Sequence, residues 1–147
     1  TRWHIPFHKV GLGKKIAAGG SGQVFKGTYD GSVVAVKQLF SVSIDAEDLE
    51  EFKDESSVLA LLHHPHIMWF YGIAEDEHKN LYIVTEYMEH NLATLVLDHE
   101  VHLTPTLKFS IAHQVAQGMQ YLHYEDIARR KQSLLHLDLK VCMHRKL

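Results

Sequence analysis

Three glycines and a serine occupy Gly19, Gly20, Ser21 and Gly22, directly before a run of β-forming residues. Backbone N–H groups can turn inward onto a phosphate only where side chains do not block the approach, and glycine permits this. The pattern falls short of an intact G-x-G-x-x-G, because Ala17 stands where the first glycine would be. By itself such a cluster is more often a plain turn. Two further residues bear on the choice. Lys37 shares a strand face with the small Ala35, and Glu55 lies at the edge of a helix's apolar stripe rather than on its solvated face. A carboxylate directed at a core interface needs a cation or hydrogen-bond donors near it.

The elements that must position these groups are legible in outline. Gln23 to Tyr29 and Ser32 to Leu39 read as strands, and the Asp30-Gly31 pair between them is a strong hairpin signal. On the second strand Val34 and Val36 face opposite to Ala35 and Lys37. A helix is expected from about Ala46 to Leu62, capped by Ser43 or Asp45, with Leu49, Phe52, Leu59 and Leu62 as its stripe and Pro65 as its stop. Short apolar runs follow at Ile67 to Ile73 and Leu81 to Tyr87, the second reading as a buried strand. Thr104-Pro105 supplies the cap and first residue of a last helix, along which Leu107, Ile111, Val115, Met119 and Leu122 recur every three or four residues. Tyr124 to Ser133 is polar and reads as a solvated loop. Strands first and helices later give an α+β class with two lobes.

Composition sets the bounds. The chain has 147 residues, 46% of them apolar, enough for one core or two small lobes. A net charge of -3 argues against a nucleic-acid surface. The single cysteine, Cys142, precludes an intrachain disulfide and fits a reducing compartment. No apolar run suggests a leader or a membrane span, so the expected location is intracellular, in the cytoplasm. The chain begins at Thr1 and is expected to be part of something longer. Histidines at 63, 64, 66, 136 and 144 invite a zinc reading, but no C-x-x-C or H-E-x-x-H spacing supports it. Gly11-Leu12-Gly13 lacks the third glycine of a dinucleotide fingerprint, and Gly13-Lys14-Lys15 fails as a Walker loop.

The order of the remaining segments is more specific than any one of them. After the glycines come V-A-V-K (34–37), F-K-D-E (52–55), H-H-P-H-I (63–67), I-V-T-E-Y-M (83–88) and L-H-L-D-L-K (135–140). From about Trp3 to Lys140 this series resembles the first half of a protein kinase domain. The W-x-I-P at Trp3 to Pro6 and the K-K-I-A at Lys14 to Ala17 are similar to the lead-in of the tyrosine-kinase-like group. The resemblance implies a two-lobe kinase fold. Residues 10–88 would form an antiparallel-sheet N-lobe with one long helix, and 89–147 the first helices of a truncated C-lobe. It also implies ATP as ligand, with Mg2+, and transfer of the γ-phosphoryl group to protein serine or threonine hydroxyls.

The resemblance assigns roles by position. Ile16, Ala17, Gly19, Gly20, Ser21 and Gly22 would form the loop over the phosphates. Val24 and Ala35 would pack on the adenine, and Lys37 would contact the α- and β-phosphates while paired with Glu55. Thr85 falls at the gatekeeper position. Glu86 and Met88 would offer backbone groups to the adenine edge, so that their side chains matter less. Asp138 would accept the substrate hydroxyl proton, with Lys140 two residues on in the serine/threonine form of the loop. Ala17 for glycine is expected to weaken nucleotide binding by only ~1 kcal/mol.

Three departures qualify the expected activity. Leu137 replaces the usual arginine of H-R-D, and Met143 falls where an asparagine should hold a metal ion. The match stops after Lys140, before any D-F-G, so no metal ligand is assigned and the chain alone is expected to be catalytically incomplete. The favoured reading is a fragment of an active kinase. The alternative is a truncated pseudokinase that acts as a nucleotide-binding or protein-interaction module, with a partner covering the apolar face left on the last helix. A tail that is a genuine functional variant comes third.

Overall fold

The hairpin expected at Asp30-Gly31 organises the sheet. Both turn residues have positive φ, 47° and 77°, the combination that matches the twist of two antiparallel strands. The strands it joins are β2, Gly22–Tyr29, and β3, Ser32–Leu39. The computed structural model describes residues 3–19, 22–39, 56–97 and 102–124. Three more strands complete the sheet: β1, Val10–Gly19, β4, Phe70–Glu75, and β5, Leu81–Glu86. Their order is β1-β2-β3-β5-β4, with every pairing antiparallel. The chain divides into two compact units, Thr1–Leu62 with Trp69–Tyr87, and His63–Met68 with Met88–Leu147.

Strand alternation separates the two faces of the sheet. Val34 and Val36 are fully buried and join Ile5, Val10, Ala74, Tyr82 and Val84 in one cluster. Phe7, Phe25, Tyr29 and Tyr71 pack around it. β5 is buried on both faces along Leu81 to Val84, as its unbroken apolar run implies. β1 is the opposite case, buried at Val10 and exposed from Gly11 to Gly19. It is an edge strand with two register shifts and two lysines, features that discourage pairing with another chain.

At the other edge, β4 is covered by the start of the chain. The Ile5 N–H donates to the Ile73 carbonyl at 2.7 Å, and the Ile73 N–H to the Trp3 carbonyl at 2.9 Å. Phe7 then lies over Tyr82 with ring centroids 4.7 Å apart. Gly72, at φ 152°, makes this approach possible, because a Cβ there would strike the Trp3 carbonyl and the Ile5 side chain. Gly72→Ala is therefore expected to cost about 1–3 kcal/mol. Denaturant unfolding should show it as a lower midpoint, and an unchanged midpoint would mean the segment is not docked.

The turn between β4 and β5 is built on Asp76. Its carboxylate accepts the backbone N–H groups of His78 and Asn80, both at 2.9 Å, the Asn80 side-chain amide at 2.8 Å and the Tyr82 hydroxyl at 2.9 Å. Burial alone would raise its pKa, but these donors together hold it below the ordinary 3.8. The Tyr82 hydroxyl is pushed up to about 12, first by burial and then by Asp76, so it stays protonated and donates. A carboxyl depressed on folding lends stability above its unfolded pKa and loses it as pH falls through the folded value. Urea midpoints taken from neutral pH down past 3.8 should fall, and Asp76→Asn should lower the neutral value while flattening that acid limb. Equal acid limbs in both proteins would contradict this role.

Of the expected helix from 46 to 62, only its last part falls within the described residues. Residues 56–59 are helical. The helix closes earlier than Pro65 suggests. Leu61 N–H bonds to the Val58 carbonyl and Leu62 N–H to Leu59, three-residue spacings that tighten the final turn. Ser56 is fully buried there and Leu62 nearly so.

In the second unit, α1 covers Leu92–Leu97 and α2 covers Pro105–Tyr124. Thr104 caps α2 as expected, its hydroxyl accepting the Leu107 N–H at 3.2 Å. Ile111 and Leu122 of the expected stripe are buried, and Leu107, Val115 and Met119 are half-buried. Among the described residues no helix is long and apolar enough to cross a membrane.

Candidate functional site

Register brings the residues of interest on the sheet into one row. Ala17 pairs with Val24, Val24 with Lys37, and Lys37 with Ile83. Cross-strand partners point to the same side of a sheet, so Ala17, Val24, Lys37 and Ile83 share the face opposite the Val34–Val36 cluster. Ala35 and Thr85, themselves paired, form the next row on that face, with Lys26 beside Ala35. Lys37 and Ala35 are half-buried, a long cation next to a small side chain. Among the described residues no carboxylate forms an ion pair with the Lys37 ammonium. Glu55 lies outside them, so its expected pairing with Lys37 does too.

The glycine turn closes the end of this face. Gly19 and Gly22 are register partners at the β1–β2 connection, and Gly20 and Ser21 fall outside the described residues. Gly22 has φ 151°, and a Cβ there would collide with the Gln38 carbonyl. Its lack of a side chain therefore lets β2 begin hard against β3. Gly19 faces open space, with nothing within 4 Å of where its Cβ would be. One glycine is thus demanded by packing, and the other leaves room above the Lys37 row. Ile16 and Ala17 lie on the exposed part of β1 leading into the turn.

At the far end of β5, Thr85 is half-buried, with its hydroxyl 3.4 Å from the Glu86 carbonyl. The Glu86 N–H donates to the Trp69 carbonyl at 2.9 Å, and its carboxylate accepts the Trp69 N–H at 3.2 Å. The Glu86 side chain thus matters more than the sequence suggested, because it fastens β5 to the chain entering β4. Lys26 lies over the Tyr87 ring, 4.5 Å from its centroid, a cation–π contact that sequence reasoning did not single out. Met88 begins the second stretch of the second unit. Asp138, Lys140 and Met143 lie outside the described residues.

The histidine cluster has a structural use. His64 stacks on Tyr121 at 4.9 Å, its Nδ1 accepts the His66 N–H at 3.1 Å, and the Tyr121 hydroxyl accepts the His63 N–H at 3.1 Å. Burial first, and the neighbouring His66 second, hold the His64 pKa below the usual 6.5, consistent with an Nδ1 that accepts. Among the described residues no three His, Cys, Asp or Glu side chains gather as a metal site.

Comparison with known proteins fits this arrangement. A family model described as protein tyrosine and serine/threonine kinase matches residues 10–144. "Probable serine/threonine-protein kinase drkD" of Dictyostelium discoideum is 35% identical over 139 residues, covering 94% of this chain and 10% of that protein. Serine/threonine-protein kinase CTR1 of Arabidopsis thaliana is 36% identical over 139 residues, 92% of this chain and 16% of its own length. Serine/threonine-protein kinase STY17 of the same plant is 32% identical over 139 residues, 94% of this chain and 23% of its own. The chain therefore spans less than a quarter of each of these relatives.

Proposed function

Because the chain belongs to the protein tyrosine and serine/threonine kinase family, in its tyrosine-kinase-like group, we propose that it binds ATP on the Lys37 face of its sheet. We propose further that it is part of a kinase domain that transfers the γ-phosphoryl group to protein serine or threonine hydroxyls, the chain by itself being catalytically incomplete. The observation that carries the reading is the row Ala17–Val24–Lys37–Ile83, with the glycine turn at one end and Ala35–Thr85 beside it.

The chemistry follows from that row. Val24 and Ala35 offer an apolar, low-relief surface to the adenine ring. Lys37 places an ammonium toward the α- and β-phosphates, and Glu55 holds it there. Two such charges in a closed site relieve each other's desolvation. The N–H groups of the Gly19–Gly22 turn face the phosphate oxygens. The Glu86 N–H is already bonded to Trp69, so its carbonyl is the backbone group it brings to the adenine edge, followed by Met88. In the complete domain Asp138 accepts the substrate hydroxyl proton as that oxygen attacks the γ-phosphorus in line and the bond to the β,γ-bridging oxygen breaks, so that ADP leaves, with Lys140 two residues on in the serine/threonine form of the loop.

The donor set does not fit a magnesium ion. Met143 offers a soft thioether where a hard oxygen is needed, and no step here is routed through a metal. That same residue, with Leu137, favours a second reading, in which nucleotide binds without transfer and the domain recruits a protein partner. One experiment addresses both. Purified protein is given labelled ATP with magnesium and a generic protein substrate, and nucleotide-dependent thermal stabilisation is measured alongside. Transfer that Asp138→Asn abolishes supports catalysis. Stabilisation without transfer supports nucleotide binding by a chain that is catalytically incomplete by itself, which both readings share. Neither effect would overturn both.

A further inference from the structure

On the face of the sheet away from Lys37, one row is polar where its neighbours are apolar. Gln23 Nε2 donates to Gln38 Oε1 at 2.8 Å, Gln38 Nε2 to the Tyr82 hydroxyl at 3.2 Å, and the Tyr82 hydroxyl to Asp76 Oδ2 at 2.9 Å. Every donor in the chain points the same way, toward a carboxylate already fixed by the β4–β5 turn. We propose that this one-way ladder, Gln23–Gln38–Tyr82–Asp76, positions the glycine turn and Lys37 for the triphosphate of the nucleotide, an inference that rests on the nucleotide-binding reading.

Gln23, Gln38 and Tyr82 are register partners across β2, β3 and β5. Each is one residue from a member of the opposite-facing row: Gln23 precedes Val24, Gln38 follows Lys37, and Tyr82 precedes Ile83. Fixing the ladder therefore fixes the backbone from which Lys37 and Val24 project. Gln23 also directly follows Gly22, where a Cβ would collide with the Gln38 carbonyl. The Gly22 side of the turn is thus held by both main chain and side chain. The adjacent row on the ladder's own face is Phe25, Val36 and Val84, so an apolar filling was available. A polar row must satisfy each of its buried groups, and in return it sets a direction and a register that apolar contacts leave looser. Hydrogen bonds that donate successively toward an anion polarise one another, so loss of any rung weakens the rest.

The ladder lies at the phosphate end of the site, which separates positioning from general stabilisation. Calorimetric titration of the intact chain with ATP and with adenosine is the test, on wild type and on Tyr82→Phe and Gln38→Leu. The expected result is an ATP affinity lower by about five- to tenfold, with adenosine affinity changed less than about twofold. Equal losses for the two ligands, or no loss for either, would overturn the proposal. Amide hydrogen exchange of residues 15–27 in the unliganded protein gives a second readout, with faster exchange expected at Gly22 and Gln23 in both variants. If wild type binds neither ligand, the proposed function fails, and exchange alone decides the ladder: unchanged rates at Gly22 and Gln23 overturn it. Should Tyr82→Phe not fold, Gln23→Leu, at the ladder's outer end, takes its place in both measurements.

Discussion

Lys37→Met should abolish the stabilisation that ATP confers on this chain. Lys37 is the one cation that β3 directs onto the Ala17–Val24–Ile83 row, and methionine keeps its length while removing its charge. A hydrogen bond to a charged group contributes about 1.5–3 kcal/mol, so the affinity loss should be about 10- to 100-fold. Ligand stabilisation scales with the logarithm of concentration over Kd, so a thermal shift seen at an ATP concentration a few times the wild-type Kd should fall close to zero at the same concentration. Lys79→Met is the control. That lysine is exposed, lies in the turn between β4 and β5 and is paired with Glu75 at 2.7 Å, and its loss should leave the ATP shift intact. Equal shifts in wild type and Lys37→Met would remove the lysine from the site.

The largest effect on stability is expected at Val36. It is fully buried, between Phe25 on β2 and Val84 on β5, on the face that carries the core cluster. Val36→Asp puts a carboxylate there with no partner. The cost of an unpaired buried charge is above about 4 kcal/mol, comparable to the whole stability of a small domain. Circular dichroism should show an unfolded or aggregated protein. Val33→Asp, three residues earlier on the same strand, should change stability by no more than about 0.5 kcal/mol, because Val33 is 51% exposed. Comparable losses at the two sites would mean that the alternation of β3 has been assigned to the wrong faces.

How much of this was legible beforehand depended on the physical signal each element carries. The β2–β3 hairpin was plain, because Asp30-Gly31 supplies both positive-φ residues and the flanking strands alternate. The last helix was plain for a similar reason: a hydroxyl cap, a proline and a regular stripe agree. β1 was not seen. Gly11, Gly13, Lys14 and Lys15 are poor strand formers, and a strand exposed from Gly11 to Gly19 shows no alternation to read. β4 was blurred, since the apolar run from Ile67 to Ile73 crosses from the loop into a strand that begins only at Phe70. α1 is six residues long, too short for a periodic signal.

The site shows the same division. That Ala35 and Lys37 share a face followed from the period of a strand. That Ala17, Val24 and Ile83 lie in the same row required the register, which two bulges in β1 make impossible to count from sequence. The Glu86–Trp69 clasp and the Gln23–Gln38–Tyr82–Asp76 ladder join residues far apart in the chain, and glutamine or glutamate on a strand carries no local sign of its partner.

The most direct measurement is covalent labelling by an acyl-phosphate derivative of ATP, which transfers its acyl group to a lysine amine beside the bound phosphates, followed by peptide mass spectrometry. One dominant adduct is expected, on Lys37, suppressed by excess unlabelled ATP. Adducts spread over Lys14, Lys15, Lys26 and Lys79 in proportion to exposure, with Lys37 unmodified and ATP giving no protection, would contradict it.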